Sequence, residues 1–210
     1  MVLDGETIMA TRQEAQSSTL DAMYQRRAVR AYKEEKLGED SIRRLLDAAV
    51  HAPTAMHLEP WAFVVIQNKE VLKRYSDRAK SMLLAQAQSD AAKEDAIPLK
   101  QSYRTMLADP AFNIFYDAGT LIVVCRTMSG PFTDADCWLA AENLMLAATA
   151  TGLGTCCIGF AMPLLNAPDV KRELGIPADG AAVAPVIVGF PSGSTPPVSR
   201  RPPEIFRWVK

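Results

Sequence analysis

Four short apolar segments, separated by helical patterns rather than by tight turns, constrain the fold of this chain most strongly. Continuous apolar runs rich in β-branched residues are typical of strands that are buried on both faces. The intervening helices, together with the lack of a run of hairpins, predict a layered domain of helix, sheet and helix. The apolar segments cover residues 61–66, 119–125, 155–160 and 181–190.

Helical patterns lie before and between these strands. One amphipathic pattern carries Ile42, Leu45 and Ala49 on a single face and stops before Pro53, because the residue before a proline avoids the helical region. Another is apolar on nearly all sides and ends at Gly152, which predicts burial in the core or at a subunit interface. The predicted helices begin near residue 20 and also cover residues 38–50, 69–87, 134–151 and 167–174.

The segment from residue 88 to residue 115 has a weaker periodicity. It contains an ambiguous helix at residues 102–107, followed by an aromatic cluster of Phe112, Phe115 and Tyr116. A long irregular segment in a compact domain is typical of a lid or of an excursion to an interface. Residues 1–17 are polar and aperiodic, so we predict a flexible N-terminal arm followed by a single domain over residues 18–210.

The charge and the composition argue against several classes of function. A net charge of -1 over 210 residues disfavours a nucleic-acid-binding surface. Residues 143–168 carry no charged side chain, but glycines and a proline interrupt them, so we expect no membrane span. The first residues lack a basic region followed by an apolar run, and the cysteines lack the spacing of a zinc site. We therefore expect a cytoplasmic protein with small, reduced, buried cysteines and no metal.

A basic cluster follows the first helix. Arg26 and Arg30 are four residues apart and share a helical face, whereas Arg27 is rotated by about 100°. Forked guanidinium hydrogen bonds suit phosphate, so the cluster is a candidate site for a phosphorylated cofactor. The alternative is a solvated basic helix end that suits the negative end of the helix dipole. A second pair, Arg200 and Arg201, could bind the same anion.

The glycine-rich run Gly152-Leu-Gly154-Thr-Cys-Cys-Ile-Gly159 does not form a dinucleotide fingerprint. That fingerprint needs its glycines after a strand and before a helix, whereas here they follow a helix and precede a strand. Gly152 suits a helix C-cap, and Gly159 suits the close approach of a flat ligand. The only histidines, His51 and His57, lack further metal ligands and a serine elbow for a triad. Difficult chemistry is therefore expected to belong to a bound organic cofactor.

Several of these motifs together resemble the FMN-dependent nitroreductase family. The family's Arg-Arg-Ser-x-Arg run corresponds to Arg26-Arg-Ala-Val-Arg30, and its Ala-Pro-Ser-Ala-x-Asn-x-Gln-Pro-Trp run corresponds to Ala52-Pro-Thr-Ala-Met-His-Leu-Glu-Pro-Trp61. Residues 136–148 and the following Gly152-Leu-Gly154 turn resemble its central helix, and Val188-Gly-Phe-Pro191 resembles its last strand. The four motifs occur in the order that the family has.

The resemblance implies a particular fold, assembly and activity. The fold would be α+β, with three αβα layers around a central mixed, mainly antiparallel sheet. The protein would be a homodimer with two FMN sites at its interface, each built from both subunits. Members of the family reduce nitroaromatics, quinones or similar small electrophiles with NADH or NADPH. They do so by ping-pong hydride transfer through the flavin, so that no catalytic side chain is expected.

The resemblance also implies which residues surround FMN. Each site would take the arginine run from one subunit and the loop before Trp61 from its partner, and the end of the third strand would line the flavin ring. Arg30 would supply a cation at the N1–C2 edge of the ring, and Arg200 or Arg201 would reach the phosphate. The other implied contacts are Arg26, Arg27 and Ala28 from the arginine run, Cys157, Ile158 and Gly159 beside the isoalloxazine, and Pro53, Thr54, Ala55 and His57 from the partner.

Three departures from the family pattern bear on the substrate. Ala28 lacks the usual serine hydroxyl, His57 replaces the usual asparagine, and Glu59 replaces the usual glutamine. His57 could keep a hydrogen bond to the flavin or change the charge of the pocket with pH, which makes it a candidate modulator. Two alternatives to the reductase therefore stay open. One is a dehalogenating or flavin-destroying enzyme of the same fold, and the other is a non-catalytic, flavin-binding redox sensor.

Overall fold

Helices and strands alternate along the chain, as the apolar pattern predicts. The computed structural model describes residues 18–90 and 99–210, so the arm predicted for residues 1–17 lies outside the described residues. The strands are β1 (Trp61–Ile66), β2 (Thr120–Arg126), β3 (Gly154–Cys157) and β4 (Ala181–Gly189). The helices are α1 (Thr19–Gln25), α2 (Glu39–Val50), α3 (Lys69–Asp90), α4 (Gln101–Ala108), α5 (Thr133–Ala150), α6 (Met162–Leu165) and α7 (Pro168–Glu173).

The four strands form one sheet in the order β1-β2-β4-β3, and neighbouring strands are antiparallel. The parallel component is a bridge between Ala28, in the extended segment after α1, and Thr155 of β3. The sheet is thus mixed and mainly antiparallel, as the family resemblance implied. β4 comes last among these strands along the chain but lies in the interior of the sheet.

Helices cover both faces of the sheet. On β2, Leu121 and Val123 pack into one core with residues of α3, α4, α6 and α7. Ile122 and Val124 pack into a second core with residues of α2 and α5. This alternation follows from the two-residue period of a strand. The predicted three-layer αβα arrangement is confirmed, with β2 and β4 buried at its centre.

Two predictions about individual strands are wrong. β1 is an edge strand in which only Ile66 is buried, because no strand pairs with its outer side in the described subunit. β3 ends at Cys157 rather than at Phe160, because the chain turns through a 3-10 helix at Gly159–Ala161 and enters α6. A short apolar run cannot by itself distinguish a strand from a buried helical turn. For this reason the short helix α6, which follows the run at residues 155–160, was not predicted.

Ser18 caps the start of α1, and Gly152 ends the helix before β3 as predicted. Ser18 Oγ accepts a hydrogen bond from the Asp21 N–H at 3.1 Å, and the Asp21 carboxylate accepts one from the Ser18 N–H at 3.2 Å. Gly152 has a φ of +76°, the left-handed conformation that favours glycine after a helix. Ser18 therefore marks the start of α1, and Gly152 marks the turn between α5 and β3, the strand that leads to the cavity described below.

The residues after β4 leave the body of the domain as an extended C-terminal tail, residues 192–210. The Ser192 N–H donates to the Ala31 carbonyl at 2.9 Å, and from there the tail stays exposed. The large apolar side chains exposed on the tail are Val198, Ile205, Phe206, Trp208 and Val209.

The buried thiol of Cys137 predicts that the protein loses stability at alkaline pH. Burial raises the pKa of Cys137 to about 12, whereas an unfolded thiol has a pKa of about 8.5. The contribution of this thiol to stability is therefore complete below about pH 8.5 and is lost as the pH rises toward its folded-state pKa, by about 1.4 kcal/mol per pH unit. In Cys137→Ala this part of the slope is expected to vanish. Urea unfolding under reducing conditions between about pH 8.5 and pH 11 would measure it.

A neighbouring substitution controls for the loss of packing. Ala141→Gly changes another fully buried position of α5 without removing a thiol. Ala141→Gly should lower the free energy of unfolding by an amount that does not change with pH. A Cys137→Ala profile that runs parallel to that of the unsubstituted protein would contradict the prediction.

Candidate functional site

A cavity of about 600 Å³ opens between the end of β3 and the segment that joins α4 to β2. This segment, residues 109–119, is called the excursion below. Its lining is mostly apolar and aromatic, as is common for small-molecule and cofactor sites. The lining comes from three parts of the chain that are distant in sequence. The residues are Arg30, Leu99, Tyr103, Met106, Ile114, Tyr116, Cys156, Cys157, Ile158, Gly159 and Phe160.

Arg30 reaches the cavity on the extended segment after α1. The Val29 N–H donates to the Thr155 carbonyl at 2.9 Å, which fixes this segment beside β3. A Cβ at Gly154 would stand 2.8 Å from the Val29 side chain, so the absence of a side chain allows the close approach. The Arg30 guanidinium then lies 5.9 Å from the centroid of the Tyr116 ring, in a cation–π contact.

Tyr116 lies in a part of the cavity wall that no sequence motif predicted to be part of a site. Two buried polar side chains, one turn apart on α3, hold this excursion. Ser76 Oγ accepts a hydrogen bond from the Ile114 N–H at 3.0 Å, and Lys80 Nζ donates to the Phe112 carbonyl at 2.7 Å. A serine and a lysine on an otherwise apolar helix face are the signal by which the sequence could have indicated this contact. Buried polar groups need partners, and here the partners are backbone groups of the excursion.

Aromatic pairs complete this wall. Tyr103 of α4 meets Phe160 edge to face, with the ring centroids 5.8 Å apart. Tyr116 meets Phe112 in the same manner at 5.6 Å. The described part of residues 88–115, the segment for which the sequence suggested a lid or an interface, thus supplies much of the cavity wall. Such a wall suits a flat, conjugated ligand.

The end of β3 supplies an uncharged wall. Burial raises the pKa of Cys157 to about 11, and burial also raises the pKa of Cys156 against the opposing effect of Arg30. Both thiols are therefore neutral at pH 7, and Arg30 is the charged residue among the described lining residues. At Gly159, no described atom beyond the glycine and its two chain neighbours lies within 4 Å of the position that a Cβ would take. A flat ligand can approach the backbone there.

Comparison with known proteins identifies the family. A model described as the nitroreductase family matches residues 23–190. The chain belongs to the nitroreductase family. The matched residues include all four strands of the described sheet. The family and the fold inferred from the sequence motifs are confirmed.

Nitroreductase relatives cover most of the chain. Two of them are provisionally named NADH dehydrogenase/NAD(P)H nitroreductase. The one from Archaeoglobus fulgidus is 27% identical over 173 residues, which cover 82% of this chain and 84% of the relative. The one from Methanothermobacter thermautotrophicus is 28% identical over 178 residues, which cover 82% and 77%. A solved nitroreductase with bound FMN from Bacteroides fragilis has a TM-score of 0.74 and 25% identity, covering 92% of this chain and 100% of that chain. This chain is therefore an oxidoreductase.

The nitroreductase arginine run is divided between the cavity and the body of the protein. Arg26 Nε lies 3.3 Å from Glu142 Oε1 on α5. Arg27 Nη1 donates to the Tyr24 and Arg26 carbonyls at 2.6 and 2.7 Å, and so caps the end of α1. Arg30 alone in this run is among the lining residues of the cavity.

The loop before β1 does not line the cavity. Its Ala55 N–H donates to Asp136 Oδ1 at 3.2 Å, and Met56 is 85% exposed. Arg200 and Arg201 stand exposed on the C-terminal tail. Of the site residues expected from the sequence, the described chain brings together Arg30, Cys157, Ile158 and Gly159. Those that do not line its cavity are Arg26, Arg27, Ala28, Pro53, Thr54, Ala55, His57, Arg200 and Arg201.

The two histidines of the chain have different surroundings. His51 Nδ1 lies 2.7 Å from the Asp47 carbonyl at the end of α2, whereas His57 is exposed in the loop before β1. Among the described residues, no group of three or more His, Cys, Asp or Glu side chains could hold a metal ion. In the same part of the chain, no helix combines the length and the apolar character needed to cross a membrane.

Proposed function

We propose that this nitroreductase is an FMN-dependent NAD(P)H oxidoreductase that reduces nitroaromatics, quinones or similar small electrophiles in two half-reactions. The observation that carries the proposal is the cavity, in which aromatic walls, an open glycine and one arginine surround about 600 Å³. The FMN bound to the Bacteroides fragilis nitroreductase supports the choice of cofactor. The names of the two sequence relatives support NADH or NADPH as the electron donor.

The residues around the cavity fit a flavin. The isoalloxazine ring is flat and conjugated, and one of its edges carries hydrogen-bond acceptors. Gly159 leaves free the space that a Cβ would take, and Tyr103, Tyr116 and Phe160 offer aromatic surfaces. Arg30 provides a cation for the polar edge of the ring. The donor set of the cavity thus suits the ring chemically as well as by shape.

The protein side chains would bind and orient the cofactor. When bound, FMN would supply the hydride and electron transfer. Arg30 would donate a charge-assisted hydrogen bond to the N1–C2 edge, with the Tyr116 ring limiting the movement of its guanidinium. Arg26 would bind the phosphate through its terminal nitrogens, because Glu142 already engages Nε. The apolar walls would exclude water from the ring.

A second copy of the chain would complete the site. α1 and α5 pack together and expose Leu20, Met23, Trp138 and Leu139, which form an apolar surface suited to a partner. The loop before β1 and the C-terminal tail, both exposed beyond their own cavity, would extend to the site of the other subunit. The side chains brought there in this homodimer would be Pro53, Thr54, Ala55, His57 and either Arg200 or Arg201.

The proposed compartment is the cytoplasm. All four cysteines are free thiols, and three of them are buried. Free thiols persist where glutathione and thioredoxin keep them reduced.

The absorbance spectrum of the purified protein tests the cofactor and the donor together. We expect yellow protein with flavin bands, which NADH or NADPH bleaches without oxygen and which a nitroaromatic or a quinone then restores. Restoration without loss of flavin distinguishes the reductase from a flavin-destroying enzyme. Colourless protein that takes up no added FMN would refute the proposal. Bound FMN that neither nucleotide reduces would favour a redox sensor.

A further inference from the structure

Asp136 is a buried carboxylate near the start of α5 and does not line the cavity. It is 3% exposed, and its Oδ1 accepts a hydrogen bond from the Ala55 N–H at 3.2 Å. Its Oδ2 is buried without a hydrogen-bond partner among the described residues. Burial of a carboxylate is unfavourable unless its charge is compensated. A carboxylate kept in such a position therefore points to a role beyond packing.

The position of Asp136 on α5 is favourable for a carboxylate. It lies in the first turn of the helix, where the helix dipole stabilises a negative group. The Asp136 N–H is already bonded within this turn, to the Phe132 carbonyl at 2.8 Å. In the described structure, the hydrogen bond that the carboxylate makes outside its helix goes to the loop before β1, residues 53–59.

Loop 53–59 has an uncommon backbone. Left-handed φ values are unfavourable for residues with a side chain and persist only where the surroundings enforce them. The side chains concerned are exposed, so their own packing does not enforce the conformation. The loop is held instead at Ala55 by Asp136, and at the Pro60 carbonyl, which accepts a hydrogen bond from the Thr127 N–H at 2.7 Å. The left-handed residues are Met56 (+57°), His57 (+53°) and Glu59 (+45°).

The same helix contacts residues proposed to bind flavin in its own subunit. Glu142, about 9 Å further along the helix, engages Arg26, and Met145 Sδ lies 3.6 Å from Cys157 Sγ. Helix α5 therefore supports its own half of one site and anchors a loop that would serve the other site. A rigid helix between the two keeps their spacing constant.

We propose that Asp136 is a positioning residue that holds loop 53–59 in the backbone conformation required by the flavin site of the other subunit. The proposal rests on the proposed function, because the loop would meet flavin only in the homodimer. Asp136 acts through the Ala55 N–H and does not itself contact the cofactor. Without this acceptor the left-handed residues relax, and the side chains from Pro53 to His57 lose their positions.

Two substitutions of Asp136 test the proposal in the full-length protein. Asp136→Ala removes the acceptor, whereas Asp136→Asn keeps an oxygen in the place of Oδ1. We expect Asp136→Ala to raise the Kd for FMN by about tenfold or more and Asp136→Asn to raise it by less than about threefold, as measured by quenching of FMN fluorescence. Without FMN, chymotrypsin should cleave Asp136→Ala faster after Met56 or Leu58, as read by mass spectrometry.

Thr133→Ala is the matched control. Thr133 is buried at the same end of α5, but its hydroxyl donates to the Gly130 carbonyl at 3.1 Å rather than to the loop. Its loss should lower the thermal midpoint and leave the Kd for FMN within about twofold. If Thr133→Ala weakens FMN binding as much as Asp136→Ala does, Asp136 contributes only general stability to this end of α5. That result would overturn the proposal.

The remaining outcomes also decide the matter. An unchanged Kd or an unchanged cleavage rate in Asp136→Ala would overturn the proposal, as would an equal loss of affinity in both variants. If Asp136→Ala fails to fold, a Kd more than about tenfold higher in Asp136→Asn would contradict it, and near-normal affinity would support it. If the unsubstituted protein binds no FMN, the proposed function fails, while the cleavage rates still test the anchoring of the loop.

Discussion

Replacing Phe115 with alanine is expected to lower the free energy of unfolding by about 3–5 kcal/mol. The ring is 0% exposed in the core between the sheet and α3, so its removal forfeits apolar burial and leaves a void. That loss is a large part of the roughly 5–15 kcal/mol that stabilises a folded domain. Denaturant unfolding followed by circular dichroism would measure it.

A second phenylalanine provides the control for Phe115. Phe132, before α5, is 57% exposed, so the same chemical change there should alter stability by no more than about 0.5–1 kcal/mol. Phe115 also lies between Ile114 and Tyr116, which both line the cavity. Equal destabilisation at the two phenylalanines would contradict the account of a core that supports this wall.

Arg26→Ala is expected to weaken FMN binding by about 1.5–3 kcal/mol, or roughly 10- to 150-fold in Kd. The physical reason is the loss of a charge-assisted contact with the phosphate. Because Glu142 engages Nε, the terminal nitrogens of the guanidinium stay available for an anion. Titration of FMN fluorescence with cofactor-free protein would measure the change.

Arg43→Ala is the corresponding control for Arg26. Arg43 pairs with Glu39 on the exposed face of α2, so the variant loses the same guanidinium away from the cavity. Its affinity for FMN should equal that of the unsubstituted protein. If Arg26→Ala keeps full affinity as well, the assignment of Arg26 to the phosphate is wrong.

The layers of the fold could be predicted because each helix or strand shows its apolar pattern within its own contiguous residues. β1 covers the predicted residues, and β2 is displaced by a single residue from the prediction. Each apolar run indicates a strand from its own residues, whereas the burial of that strand depends on its neighbours, as the exposed edge strand β1 shows. The same locality explains the error at β3, where Ile158 and Phe160 are as apolar as strand residues but belong to a turn and a 3-10 helix.

The cavity could be predicted only in part, because its walls meet through tertiary contacts. Arg30 and Gly159 were found through motifs of contiguous residues, which a single sequence displays. Tyr103, Tyr116 and Phe160 converge only when α4, the excursion and the turn after β3 have folded together. Spacing within any one of these segments carries no sign of that convergence.

The interior position of β4 determines when the sheet can be completed. β4 pairs with both β2 and β3, although it is the last of the four strands to leave the ribosome. Until residues 181–189 have emerged, β2 and β3 therefore expose apolar edges that are prone to join other chains. Pairing over such sequence distances is also slow. A nascent chain stalled before β4 would thus be a substrate for chaperones rather than a partly finished sheet.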